Sequence, residues 1–151
     1  MAAKTIDYTD LPSLEGGELP VSDWLEITQQ RIDTFAEATG DFQYIHVDPE
    51  KAASGPFGGT IAHGFLTLAL LAPLWFDTLE ITGVTTRVNY GLDKVRFTAP
   101  VKSGSRVRLH ATVKSVTEVK GGYQVAIDAT FEIEGQERPA VIIEFIERDY
   151  A

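Results

Sequence analysis

Cysteine is absent from this chain of 151 residues, and methionine occurs once. Without thiols there is no disulfide, no thiolate zinc site and no cysteine nucleophile. With three histidines in all, a His-rich metal site is not expected. Positive charge is scarce as well: 13 Lys and Arg stand against 22 Asp and Glu, a net charge of −9. That balance speaks against a nucleic-acid partner, because neutralising phosphates takes clustered cations. The most apolar run, Gly64 to Phe76, falls short of the about 20 residues a membrane-spanning helix needs. The stretch Met1 to Asp7 has no apolar segment and carries an early acid, so it does not read as a secretory leader. These absences lead to the expectation of a soluble cytoplasmic protein with no membrane insertion.

What is present suffices for one domain over 1–151. A chain of this length buries roughly two thirds of its unfolded surface, and 44% of its residues are hydrophobic. Residues 1–19 are polar, contain Gly16-Gly17, and are expected to form a loosely ordered arm. Val21 to Ile27 has some strand character. Thr28 suits the N-cap of a helix carrying Ile32, Phe35 and Ala36 at helical spacing, with Gly40 as its stop. Asp48-Pro49 reads as an N-cap followed by proline at the first helical position, opening a short helix to Ala53. Ser54 to Gly59 is a loop. Gly64 to about Leu79 reads as one long helix, apolar all round and therefore buried, kinked or ended near Pro73.

Beyond Gly83 the period changes to two. Val84 to Tyr90 alternates and resumes at Val95 and Phe97, with a bulge or bend at Gly91. Val107 to Val113 and Tyr123 to Ile133 alternate, the second entered through the Gly121-Gly122 turn. Ala140 to Ile146 is a nearly continuous apolar run, as in a central strand. Helices first and strands after suggest an α+β fold, an antiparallel sheet curling around one buried helix.

The chemistry concentrates before that helix. Asp41 and His46 stand five positions apart, after one helix and before the next. A carboxylate and an imidazole that reach one water can take a proton from it and return one. Each also has a plainer role available: Asp41 could close a turn, and His46 could be satisfied by a backbone carbonyl. Gly64 opens the apolar helix, where free amides can hold a developing oxyanion and a missing Cβ admits a planar thioester. His63 is expected to shape the turn or hydrogen-bond locally, outside the chemistry, His110 to be a surface residue, and Asp48 to be a cap.

Three segments carry a family likeness: Gly40-Asp41 with His46, then Ala62-His63-Gly64, then Val95-Arg96-Phe97-Thr98-Ala99-Pro100-Val101-Lys102-Ser103-Gly104. Together they resemble the MaoC-like (R)-specific enoyl-CoA hydratase family, and the likeness covers roughly residues 20–149. It implies the hot-dog fold and a hydro-lyase that adds water reversibly to trans-2-enoyl-CoA, giving (R)-3-hydroxyacyl-CoA. It also implies Asp41 and His46 as the catalytic pair and the Gly64 amide as the donor to the thioester oxygen. The implied assembly is a homodimer whose sheets join edge to edge, with acyl-CoA, the substrate, near the interface and no cofactor. This chain has Gln43-Tyr44 where many members have Asn-Pro, and Ala69 where many have a serine. Phe57, Asn89 and Tyr90 are candidates for the substrate pocket. Lys94 and Arg96, with Lys102, Arg106 and Arg108, form a local cationic surplus that could attract CoA phosphates.

Other readings remain at this point. A thioesterase on the same fold would need an acid on the central helix, and Gly64 to Phe76 contains none. A 3-hydroxyacyl dehydratase acting on carrier-protein substrates would run the same chemistry in reverse. A non-catalytic acyl-CoA-binding protein would have no use for the pair.

Overall fold

A computed structural model describes residues 3–151. Five strands form an antiparallel sheet in the order β2-β5-β6-β7-β4. They are β2 (Leu25–Glu26), β4 (Thr86–Phe97), β5 (Arg106–Val119), β6 (Gly122–Ile133) and β7 (Val141–Tyr150). Alternation drives the burial. Val107, Leu109, Ala111 and Val113 of β5 face the core with Ile127, Phe131 and Ile133 of β6 and with Ile143 and Phe145 of β7. Gly121, at φ 80°, takes the left-handed conformation that the β5–β6 turn demands. In β4 the register slips between Asn89 and Gly91 and again between Leu92 and Lys94, so the bend expected at Gly91 is a double bulge.

The helical layer follows its caps. Thr28 accepts a hydrogen bond from the Arg31 amide at 3.1 Å and opens α1 (Gln29–Thr39), which Gly40 closes at φ 83°. Such a cap is worth about 1 kcal/mol. A short turn of helix, α2 (Tyr44–Val47), carries His46. Asp48 then caps α3 (Pro49–Ala53) by accepting from the Lys51 amide at 3.0 Å.

Three expectations are corrected here. The long apolar helix is two pieces, α4 (Gly64–Ala69) and α5 (Leu71–Thr78), joined at Leu70. Pro73 falls in the first turn of α5, where its missing N–H costs no intrahelical hydrogen bond. Nor is the pair buried all round: Phe65 is 70% exposed and Phe76 40%, because the sheet covers only one side. Leu79–Thr82 leaves the helix as β3, pairing in parallel with β1 (Lys4–Asp7).

The described part of the arm is not loose. After β1, a 3-10 helix over Tyr8–Leu14 buries Leu11 and Leu14 in the core. Residues 16–22 then run beside β5, with Gly16, Leu19 and Ser22 amides donating to Val113, Ala111 and Leu109 carbonyls. The arm thus covers one sheet edge. The opposite edge, β4, has no partner strand among the described residues. Residues 1–2 of the arm lie outside the described residues. No described helix is long and apolar enough to cross a bilayer.

Candidate active site

Asp41, His46 and His63 meet at the base of α4, with one carboxylate oxygen and one ring nitrogen from each histidine within 4.8 Å of one another. Asp41 follows the α1 stop, and its carboxylate accepts the Gln43 amide at 3.3 Å in a local turn. His46 is buried on α2, and its Nδ1 lies 2.7 Å from the Ile61 carbonyl. A carbonyl only accepts, so Nδ1 carries the proton and Nε2 keeps its lone pair. The plainer roles weighed for both residues are therefore real, and they leave the reactive atoms free: an Asp41 oxygen and His46 Nε2.

Two further residues hold this arrangement: Gln29, which the sequence did not single out, and His63, which it placed outside the chemistry. Gln29 donates from Nε2 to the His46 carbonyl at 2.7 Å and to Asp33 at 2.8 Å, while its Oε1 accepts from Thr60 at 2.6 Å. The α1 helix is thereby tied both to α2 and to the segment before α4. His63 lies under His46 with ring centroids 3.9 Å apart and planes 24° from parallel. Its Nε2 donates to the Asp41 carbonyl at 2.9 Å. His63 thus does more than shape a turn. Gln29 has no one-sequence signal beyond being a polar residue beside a helix start, and His63 stood out only within Ala62-His63-Gly64.

Three such groups could suit a metal ion, but the stack opposes chelation. Imidazole lone pairs lie in the ring planes. Two nearly parallel planes do not converge at the about 2.0–2.1 Å that a zinc–nitrogen bond requires. One ring would have to swing out, breaking the stack and the hydrogen bond that fixes it.

Gly64 follows directly. A Cβ there would come within 2.9 Å of the Phe97 ring, so any larger residue would push that ring aside. Phe57 and Gly64 line one cleft of about 270 Å³, together with Thr67, Phe97 and Val141. Asn89 lines a second of about 240 Å³, between α4–α5 and β4, with Leu68, Ala69, Ala72, Leu92 and Phe145.

The other three pocket candidates stand apart from the cluster. Tyr90 sits in the bulge with the Arg148 guanidinium 3.6 Å from its ring centroid. Lys94 and Arg96 pair across β7 with Glu144 and Ile142, partners on the outer face of the sheet. Strand alternation turns them away from α4. Two of the five cations of the surplus are matched: Arg106 pairs with Glu134 and Arg108 with Glu132. Those bonds hold both glutamates below the usual carboxylate range. His110 lies on the outer face and contacts Glu132 as well. No acid lies on α4, and Asp77 near the end of α5 is exposed.

Comparison with known proteins identifies the family. Residues 12–133 match the MaoC like domain family. The chain is 50% identical over 140 residues to 3-hydroxyacyl-thioester dehydratase Z of Mycobacterium tuberculosis, covering 92% of this chain and 93% of that one. It is 48% identical over 145 residues to nodulation protein N of Rhizobium leguminosarum bv. viciae, covering 93% and 89%. The solved (R)-hydratase of A. caviae involved in PHA biosynthesis superposes with TM-score 0.75 at 26% identity, over 89% of this chain and 96% of the other. The chain therefore belongs to the MaoC-like dehydratase family, hydro-lyases built on the hot-dog fold.

Proposed function

We propose that this protein adds water reversibly to trans-2-enoyl-CoA, giving (R)-3-hydroxyacyl-CoA. The observation that carries the reading is the convergence of an Asp41 oxygen with His46, whose Nδ1 is engaged by Ile61 and whose Nε2 is free. Water attacks the β carbon and gives up a proton to the pair. The electrons move through the double bond onto the thioester oxygen, and the α carbon then takes a proton from the pair. Asp41 and His46 act as a coupled unit, worth about 10²–10⁴ in rate. The Gly64 amide, at the first residue of α4, is the proposed donor to the oxyanion. The thioester itself stabilises the enolate, so the step calls for no cofactor.

The acyl chain fits the apolar cleft bounded by Ala69, Ala72 and Leu92, with Phe57 and Asn89 as substrate contacts. Tyr90, Lys94 and Arg96 would meet only a ligand that extends around the β4 edge. We further propose a homodimer joined at β4, whose 12 residues form an open edge. Val88, Leu92 and Phe97 are exposed there, close to both clefts. The reaction belongs in the cytoplasm, where CoA thioesters are used.

The relative named as a 3-hydroxyacyl-thioester dehydratase supports the same equilibrium read from the other side. The test is turnover of short and medium trans-2-enoyl-CoA, followed by loss of the enoyl absorbance, with product handedness assigned by a stereospecific dehydrogenase. Wild type should form the (R) alcohol, and folded Asp41→Asn and His46→Gln should each lose at least about 10²-fold in kcat. Turnover only of enoyl groups on a carrier protein would replace CoA by that carrier. Absence of turnover on both would leave acyl-CoA binding without catalysis.

A further inference from the structure

His63 is the buried histidine that the hydration step does not use, at 3% exposure. Its ring is held between Phe35, with centroids 4.8 Å apart and planes at 56°, and His46, at 3.9 Å and 24°. Its Nε2 must carry the proton, because it donates to the Asp41 carbonyl at 2.9 Å. Nδ1 is then a buried lone pair, and no hydrogen-bond partner meets it among the described residues. A phenyl ring would fill this slot without leaving a polar atom unsatisfied. What a phenyl ring lacks is the bond to Asp41. His63 thus touches both members of the pair, one by its edge and one by its face.

We propose that His63 is a positioning residue for the hydration site, an inference that rests on the proposed reaction. Its edge tethers the backbone of Asp41, which otherwise sits on an exposed turn. Its face fixes the plane of the His46 ring. With Nδ1 of His46 held by Ile61, a fixed plane aims Nε2 at one point. Asp41 and His46 come from the end of α1 and from α2, and no hydrogen bond between their side chains is seen among the described residues. His63 is what sets one against the other.

Two substitutions separate the contacts. His63→Phe keeps the stack and removes the tether; His63→Gln places an amide donor where Nε2 stood, keeping a donor for the Asp41 carbonyl, and removes the aromatic stack. Each should lower kcat by about 10–100-fold, the scale of a misplacement near 1 Å, while KM for enoyl-CoA stays within about 3-fold. Combined with His46→Gln, neither should lower kcat much further, because the positioned group is already gone. Long-range ¹⁵N–¹H NMR of the imidazoles gives a readout that does not depend on turnover. In the wild type, His46 should be protonated on Nδ1 and His63 on Nε2, each as a single tautomer. In His63→Gln, His46 should show averaged tautomers.

If both folded variants keep kcat within about 3-fold while Asp41→Asn loses it, the positioning role is overturned and the reaction stands. If wild type turns over no thioester, the reaction fails, and the spectra still decide the His63 contacts. A wild-type spectrum with the His63 proton on Nδ1 overturns the proposal even if neither variant folds.

Discussion

At His46 the scaffold and the chemistry use opposite edges of one imidazole, and the scaffold edge depends on residues far away in sequence. Ile61, 15 positions on, takes Nδ1, and Gln29, 17 positions back, takes the backbone carbonyl. The Gln29 amide is the more exposed of these anchors to a simple test. Gln29→Leu preserves the volume but strands the His46 carbonyl and the Thr60 hydroxyl. We expect a stability loss of about 1–3 kcal/mol by urea denaturation, with a several-fold fall in kcat. Unchanged kcat in a destabilised variant would make Gln29 a structural tie only. Asp41, His46 and Gly64 could be named as candidates from the sequence because Asp41 follows a helix stop, His46 lies in a short helical turn and Gly64 opens a helix, where residue type carries a local meaning. The part played by His63 could not be read that way. Its significance lies in a bond to Asp41 across 22 positions, and nothing beside it in the sequence reports that contact.

Caps and periods made most elements legible, and the failures occurred where tertiary contacts reassigned an apolar residue. Leu79 and Ile81 continue the apolar run of α5, yet both face the core from β3, because β1 offers them a strand partner. Leu11 and Leu14 lie in the arm that was expected to be loose, and both belong to the core. The break at Leu70 yields a prediction of its own. Pro73 is the third residue of α5, within the first turn, where an amide has no intrahelical acceptor. Pro73→Ala should therefore change stability by less than about 1 kcal/mol and leave kcat unaltered. Had Pro73 kinked one continuous helix, alanine would restore a hydrogen bond and raise the thermal midpoint clearly. A rise of several degrees would thus sink the two-helix description.

For the molecule as a whole, two features have no counterpart in any single element. One is a pair of acids inside the core. Glu147 and Asp149 are fully buried on the inward face of β7. Glu147 accepts from Trp75 Nε1 at 2.9 Å and from Arg87 at 2.8 Å, while Arg87 Nε stands 3.4 Å from Asp149. One guanidinium serves two carboxyls. Burial, and then the neighbouring Glu147, push the Asp149 carboxyl up to about 8 from 3.8, against the pull of Arg87. Between those values the folded chain holds a proton that the unfolded chain has released. The resulting stability is complete below 3.8 and is lost as pH rises through about 8. Asp149→Asn should therefore be more stable than wild type by about 0.5–2 kcal/mol near neutral pH. It should also flatten the decline in denaturation midpoint between mildly acidic and mildly basic pH. An unchanged slope would mean that Asp149 does not hold the proton. The other feature is the open β4 edge, which a second copy would close. Leu92→Lys puts a charge into that surface, and sedimentation should then show monomers where wild type shows dimers, with turnover reduced. A variant that stays dimeric would move the interface elsewhere.

The sequence by itself determined what neighbours within a few positions can decide. That includes the caps at Thr28 and Asp48, the stop at Gly40, the alternation of the long strands and the bend at Gly91. It also put an acid, a histidine and a glycine at helix boundaries in a family's order. Those features follow from backbone sterics and from hydrogen bonds that close locally, so residue type at a position is enough. Only the tertiary structure decided that His63 stacks on His46, that one arginine answers two buried acids, and that β4 rather than β5 is left open. Each of these joins residues far apart in the chain, and the folded sheet and its helices fix the distances between them.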